Sequence, residues 1–387
     1  MDMFAGAKPF DPLPLAKALI QRPSVTPEDA GALGVLEAAL EPLGFQCRRL
    51  PFGDVDNLFA RWGEGDPHIA FAGHTDVVPP GEDAAWTHPP FEAACVDGRL
   101  WGRGASDMKG AIAAFVAAVG RFVTGPERPR GAITLIITGD EEGPAVHGTR
   151  PMMAALEAAG ERFDQVIVGE PSNPQRLGEM MKIGRRGSLN GVITATGRQG
   201  HVAYPHRAAN PVPALLDGLA ALRAWRLDEG YARFQPSNLE ITSVDVGNPA
   251  HNVIPARAQA KFNIRFNPNH RGEDLKAEIV ARLAAASTRD DVELSTDLRV
   301  TGEAFLADET PFVARLAEII AEETGLDAEL STSGGTSDAR FIKDYAPVVE
   351  FGLVGATIHQ VNEYAEIADI ERLSHIYHRA LVAFFDR

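Results

Sequence analysis

The stretch Leu100–Gly110, LWGRGASDMKG, sets how the neighbouring segments are interpreted. An aromatic-apolar pair runs into a glycine-punctuated turn, and Asp107 then opens the strongly helical run Met108–Val123. Asp107 is therefore expected at the exit of a strand and beside a helix N-terminus, where backbone N–H groups favour a carboxylate. A lone Asp at such a place is ordinarily a helix N-cap. Here four other segments carry His or carboxylate residues to expected strand ends, and their joint placement opens a second reading, a ligand set.

Those segments lie on both sides of the turn. The short apolar strand His68–Ala72 runs into Gly73-His74-Thr75-Asp76, and Ala132–Thr138, AITLIIT, delivers Gly139-Asp140-Glu141-Glu142-Gly143. Gln165–Val168 ends in Gly169-Glu170-Pro171, and the strand Val348–Phe351 precedes ATIHQVNE at 356–363, which holds His359. Phe45–Phe52 and Asn57–Trp62 read as further strands, and Asp11–Ile20, Thr26–Leu43, Arg150–Ala159, Pro311–Gly325 and Asp369–Phe385 as helices. Thr26-Pro27-Glu28 reads as the capped start of its helix. Strands that alternate with helices and end in polar residues predict an α/β sheet with its site along that edge.

Past Gly184 the pattern changes. Strand Gly187–Thr196, helix Pro211–Leu227, strands Asn238–Val246 and Arg257–Asn267, helix Glu273–Ala286 and strand Val292–Ser295 succeed one another. That order, β-α-β-β-α-β, is the split βαβ unit of a small α+β domain. It predicts an insertion over 185–298 into a first domain made of 1–184 and 299–387.

A chain of 387 residues accommodates two such domains. Its net charge of −16, with no basic cluster, argues against nucleic acid and against anionic membrane surfaces. Cys47 and Cys95 imply no disulfide framework. The N-terminal MDMFAGAKPFDPLPL lacks a basic segment leading into an apolar one, and no apolar run is long enough to span a membrane. A soluble, cytoplasmic protein is expected.

Catalytic zinc takes about three protein ligands and keeps a position open for water. Two zincs then need about six contacts, whereas His74, Asp107, Glu142, Glu170 and His359 number five, so one carboxylate bridges. Glu141 is left for proton transfer. Asp76 can accept the other ring N–H of His74 and fix its tautomer. Imidazole and carboxylate ligands without thiolates suit zinc in a hydrolytic site, with cobalt or manganese as substitutes.

These residues carry a resemblance. Gly73–Pro80 with Trp86 and Pro90-Phe91, GRGASDMKG, DEEG, Gly169-Glu170-Pro171, GRRGS at 184–188, HVAYPH at 201–206, GGTSDARF at 334–341 and ATIHQVNE are similar to the di-zinc aminoacylase/carboxypeptidase family, in order along nearly the whole chain. The resemblance implies an exopeptidase-like catalytic domain with a mixed sheet flanked by helices, and an inserted α+β domain through which the subunits dimerise. It makes Asp107, before a cis Asp107–Met108 bond, the bridge between two zincs. His74 and Glu170 then complete one metal, Glu142 and His359 the other, and Glu141 is the general base. His201 would donate to the oxyanion in the partner subunit's site.

The implied reaction is hydrolysis of an N-acyl amide. Within the family, HTDVVPPG and GRRGS favour the branch acting on N-succinyl-LL-2,6-diaminopimelate over the acetylornithine deacetylases, with other N-acyl-amino-acid deacylases or dipeptidases as further alternatives. A non-catalytic member should have lost a ligand or Glu141, and none is lost. For the several carboxylates of that small-molecule substrate, Arg185 and Arg265 are candidate bidentate clamps. Gly334, Gly335, Thr336 and Ser337 form a candidate anion nest. Tyr204 and Asn252 are further candidate contacts. Gly355 and His147 stand where the family usually has Asn; these departures bear on the acyl substrate and touch no metal ligand.

Overall fold

Apolar, β-branched runs form the inner strands of an eight-stranded mixed sheet, and the polar residues at their C-terminal ends line its edge. In spatial order the strands are Gln46–Arg49, Leu58–Glu64, Gly131–Thr138, His68–His74, Gln165–Val168, Val348–Glu350, Met180–Lys182 and Glu329–Ser331. His68–His74 lies parallel to both Gly131–Thr138 and Gln165–Val168, and Val348–Glu350 lies parallel to the latter. The polar segments that leave these four strands therefore gather along one edge. The computed structural model describes residues 10–125, 130–230, 232–287 and 289–386. The expectation that no signal segment begins the chain falls largely on residues 1–9, outside the described residues.

Helix Gly110–Val123 is buried along nearly its whole length, and its run of Ala and Gly lets it sit close to the sheet and to helix Ile367–Phe385. Phe71 from the sheet stacks on Phe115 at 4.3 Å and meets the edge of Tyr377 at 5.7 Å. The Tyr377 hydroxyl donates to the Phe351 carbonyl at 2.5 Å, so its one polar atom is satisfied inside the core. A separate three-stranded antiparallel sheet of Tyr364–Glu366, Arg99–Trp101 and Ala94–Val96 carries the chain into the LWGRGASDMKG turn.

The chain divides into two compact units. The larger comprises the chain up to Ile183, Ala307–Ser331 and the residues from Ser337 onward; the smaller comprises Gly184–Leu306 and Thr332–Thr336. In the smaller unit, Asn238–Asp245, Arg257–Phe266, Gly187–Thr196 and Glu293–Gly302 form an antiparallel sheet in that order, with helices Pro211–Arg223 and Gly272–Ala286. This is the β-α-β-β-α-β order expected. Its far boundary differs from the expected Leu298, because the last strand stays paired with Gly187–Thr196 as far as Gly302 and Phe305-Leu306 pairs with Gly184-Arg185.

Other differences have local causes. The helix expected from Thr26 begins only at Ala32, because Gly31 adopts a left-handed φ of 86° and the Asp29 carboxylate accepts N–H groups from Gly31 and Leu33. Strands Met180–Lys182 and Glu329–Ser331, three residues each, are too short to show an alternating pattern. Among the described residues no helix is long and apolar enough to cross a membrane.

Candidate metal centre

His74 is the last residue of its strand and is 1% exposed. Its Nδ1 lies 2.9 Å from the main-chain carbonyl of Asp76, an acceptor only, so the neutral ring carries its proton on Nδ1. Nε2 then faces Asp107 Oδ1 at 3.2 Å and Glu170 Oε1 at 3.6 Å. Burial opposes protonation of this imidazole, yet the Asp107, Glu170 and Asp76 carboxylates together hold its pKa well above the ordinary range.

Asp107 is not an N-cap. It occupies a wide turn, Ala105–Lys109, with φ −121° and ψ 93°, and the helix after it has no side-chain cap. The Asp107–Met108 peptide is cis. Met108 is buried over Gly73 and Gly169: a Cβ on either glycine would lie 2.6 Å or 2.7 Å from its Cε. At Gly169 the Phe71 ring closes in as well, with its Cζ 2.4 Å from such a Cβ, so that strand end needs glycine. Burial disfavours the Asp107 carboxylate, but hydrogen bonds from His359 and His74 hold its pKa well below the usual range.

Asp76 departs from its expected role. Its carboxylate stands 3.6 Å from the His74 ring nitrogen, which is held by the Asp76 main chain instead. The carboxylate oxygens accept the N–H groups of Glu141 at 3.2 Å and Glu142 at 3.0 Å, so they shape the turn bearing both glutamates. Burial raises the Asp76 pKa to about 6, with His74 and the two N–H groups opposing. Asp140 braces the same turn from the other side by accepting N–H groups of Ala145, Val146 and His147.

Glu141 is part-buried near Glu170, Asp338 and Glu142, and desolvation first, then those carboxylates, raises its pKa well above the usual range. A cation, Arg340, stands 3.9 Å from it. Glu142 Oε1 is 2.9 Å from His359 Nε2, which is also 3.4 Å from Asp107 Oδ2. Hydrogen bonds to Asp107 and Glu142 push the His359 imidazole up to about 10. Ligand atoms of His74, Asp107 and Glu142 lie within 4.8 Å of one another, as do those of His74, Glu141 and Glu170. The larger unit therefore brings together all six residues expected to meet.

The donors are carboxylate oxygens and imidazole nitrogens alone, and both Nε2 atoms face carboxylate oxygens at 2.9–3.6 Å. Four buried or part-buried carboxylates at such range repel unless positive charge lies among them, so the set fits divalent cations.

One residue escaped the reading of the sequence. Glu363, wholly buried, accepts Arg103 Nη1 at 2.7 Å and the N–H of Asp107 at 3.2 Å. It sits in the ATIHQVNE segment four residues past His359, but its partners are more than 250 residues away, and no local pattern signals that.

In the smaller unit, Arg185 is buried and donates to the Gly335 carbonyl at 3.1 Å, which braces the Gly334–Thr336 loop. Arg265 is half-buried; burial and the neighbouring Arg186 lower its pKa, and two cations side by side favour an anion. His201 Nδ1 accepts the Ala203 N–H at 3.0 Å, which leaves Nε2 as the donor. Tyr204, half exposed, has its ring 5.6 Å from that of His201, and the Asn252 carbonyl accepts the Val202 N–H beside it. Ser337 is a correction: it is wholly buried in the larger unit and its hydroxyl donates to Glu350 at 2.8 Å, so it is not available to a substrate. Of the two departures, Gly355 lies against Pro171 and the His147 ring against Gly53.

A family model described as peptidase family M20/M25/M40 matches residues 70–383. The chain belongs to this family. Among its M20/M25/M40 relatives, a succinyl-diaminopimelate desuccinylase of Maricaulis maris (strain MCS10) is 61% identical over 375 residues, covering 97% of this chain and 96% of that one. A succinyl-diaminopimelate desuccinylase of Rhodospirillum rubrum is 56% identical over 389 residues, covering 97% and 99%. The M20 family metallo-carboxypeptidase Sso-CP2 of Sulfolobus solfataricus shares the fold with a TM-score of 0.77 at 17% identity, covering 97% and 99%. A Bacillus subtilis protein described as a dinuclear metal binding peptidase from the M20 family gives 0.70 at 16% identity, covering 97% and 98%.

Proposed function

We propose that this M20 hydrolase is a metal-dependent amidohydrolase that cleaves N-succinyl-LL-2,6-diaminopimelate to succinate and LL-2,6-diaminopimelate, a cytoplasmic step in lysine and cell-wall diaminopimelate biosynthesis. The observation that carries the reading is the convergence of His74, Asp107, Glu141, Glu142, Glu170 and His359 on one sheet edge. Identities above half to desuccinylases over nearly the full length support the substrate.

Asp107 is assigned as the shared ligand, with His74 and Glu170 on one side and Glu142 and His359 on the other. Two divalent cations bound there, zinc by the donor set with cobalt or manganese as substitutes, would supply Lewis acidity toward the amide carbonyl and lower the pKa of the attacking water. Glu141 takes the proton from that water and returns it to the leaving amine as the C–N bond breaks. Asp76 holds Glu141 and Glu142 in place through their N–H groups. His201 donates from Nε2 to the developing oxyanion, contributed by a partner subunit in a homodimer formed through the smaller unit. Arg185, Arg265, Tyr204, Asn252, Gly335 and Thr336 receive the substrate's carboxylates and polar groups.

The test is succinate release from N-succinyl-LL-2,6-diaminopimelate measured against acetate release from N-acetylornithine. A clear kcat/KM preference for the succinyl compound is expected, abolished by a chelator and restored by Zn2+ or Co2+. Equal or reversed preference would overturn the substrate, and full turnover after complete metal removal would overturn the mechanism.

A further inference from the structure

The LWGRGASDMKG turn is held from inside the protein by one carboxylate. Glu363 Oε1 accepts three N–H groups of the turn, from Gly104 at 3.1 Å, Ser106 at 3.0 Å and Asp107 at 3.2 Å. Its Oε2 accepts Arg103 Nη1 at 2.7 Å, and its main-chain carbonyl accepts the Gly102 N–H at 3.0 Å. Both side chains are buried, Glu363 at 0% and Arg103 at 2% exposure. A carboxylate at that depth is costly, and the Arg103 guanidinium and the three N–H groups offset part of that cost.

The same pair reaches the second ligand turn. Glu363 lies four residues after His359, and Arg103 Nη1 also donates to the Gln360 carbonyl at 3.2 Å. His359 and Asn362 both adopt left-handed backbone, with φ of 60° and 64°, and Asn362 Oδ1 accepts the Thr87 N–H at 2.7 Å. Such a turn needs outside support to persist. His359 Nε2 stands 3.4 Å from Asp107 Oδ2, so an error in either turn changes that distance directly.

We propose that Glu363, braced by Arg103, is a positioning residue for metal capture: it ties the Asp107 turn to the His359 turn, so that the two ligands meet before any cation arrives. This rests on the reading of Asp107 and His359 as metal ligands. Glu363 touches neither substrate nor metal, so its removal should weaken metal affinity without altering substrate affinity. Glu363→Gln keeps the shape but turns an NH2 group toward either Arg103 or the three N–H groups, setting donor against donor in a buried place.

The experiment titrates metal-free wild-type and Glu363→Gln protein with Co2+, monitored by calorimetry and by the cobalt absorption bands. Metal affinity should fall by about 10- to 100-fold, the range for partners that orient metal ligands. KM at saturating metal should stay within twofold of wild type, with kcat recovering as metal is raised. A Co2+ affinity within threefold of wild type overturns the proposal, even if the melting temperature drops, because the pair is then structural only. If Glu363→Gln does not fold, Arg103→Gln, which leaves the three N–H bonds intact, is judged by the same criterion. Wild-type protein that binds fewer than two Co2+ ions refutes the metal-centre reading itself, and this proposal with it.

Discussion

Replacing Asp76 by Asn tests the part of the site that the structure reassigns. The Asp76 main-chain carbonyl still holds His74 Nδ1 in the variant, so the imidazole keeps its orientation. What changes is the grip on the two glutamates. One carboxylate oxygen becomes an NH2 group and opposes the N–H of Glu141 or Glu142, which in the wild type sit 3.2 Å and 3.0 Å from Oδ1 and Oδ2. A hydrogen bond to a charged group contributes about 1.5–3 kcal/mol, and a buried donor left without an acceptor costs a further 1–3 kcal/mol or so. Relaxation of the turn returns part of this, leaving a loss of roughly 2–4 kcal/mol. Expressed in the transition state, that is a fall of about 30- to 1,000-fold in kcat/KM. Steady-state succinate release at saturating Zn2+ measures it, with the melting temperature recorded in parallel. The fall should lie mainly in kcat, because Glu141 is misplaced. A kcat/KM within threefold of wild type, or a loss matching the unfolded fraction, would show that the Asp76 carboxylate does not hold the glutamates in their working positions.

Three further outcomes are expected. Glu141→Gln should lower kcat by about 10²–10⁴-fold while Co2+ stoichiometry stays at the wild-type value; retained turnover would remove Glu141 as the base. Gly169→Ala places a Cβ 2.4 Å from Phe71 Cζ and 2.7 Å from Met108 Cε beside Glu170, so it should cost about 1–3 kcal/mol in urea unfolding and also weaken metal binding. Burial opposes ionisation of Asp228 in the smaller unit, but hydrogen bonds from Ser237, Gly230 and His270 outweigh it and pull the pKa down to about 2. Its folded pKa lies below the ordinary 3.8, so the stability it contributes is complete above that value and is lost as pH falls towards 2. Asp228→Asn should flatten this part of the acid-unfolding profile, measured by circular dichroism.

Alternation, β-branched runs and strand-end polar residues were enough to read the α/β class and the split βαβ insertion and to single out six side chains that the larger unit brings together. These signals are local: period, length and the residue after the last strand position. His74, Glu141, Glu142 and Glu170 meet because parallel strands end at a common edge, a property of the sheet rather than of any one segment. How those side chains are aimed was settled only in three dimensions. That Asp107 faces His74 and His359 instead of capping the helix depends on a non-helical turn that Glu363 and Arg103 hold from across the chain. The division of Asp76 into a carbonyl for His74 and a carboxylate for the glutamates, and the burial of the Ser337 hydroxyl against Glu350, likewise depend on contacts between distant segments. A residue's type and its place in a periodic run are fixed locally, whereas the partner of each lone pair and proton is chosen only when distant segments close around it.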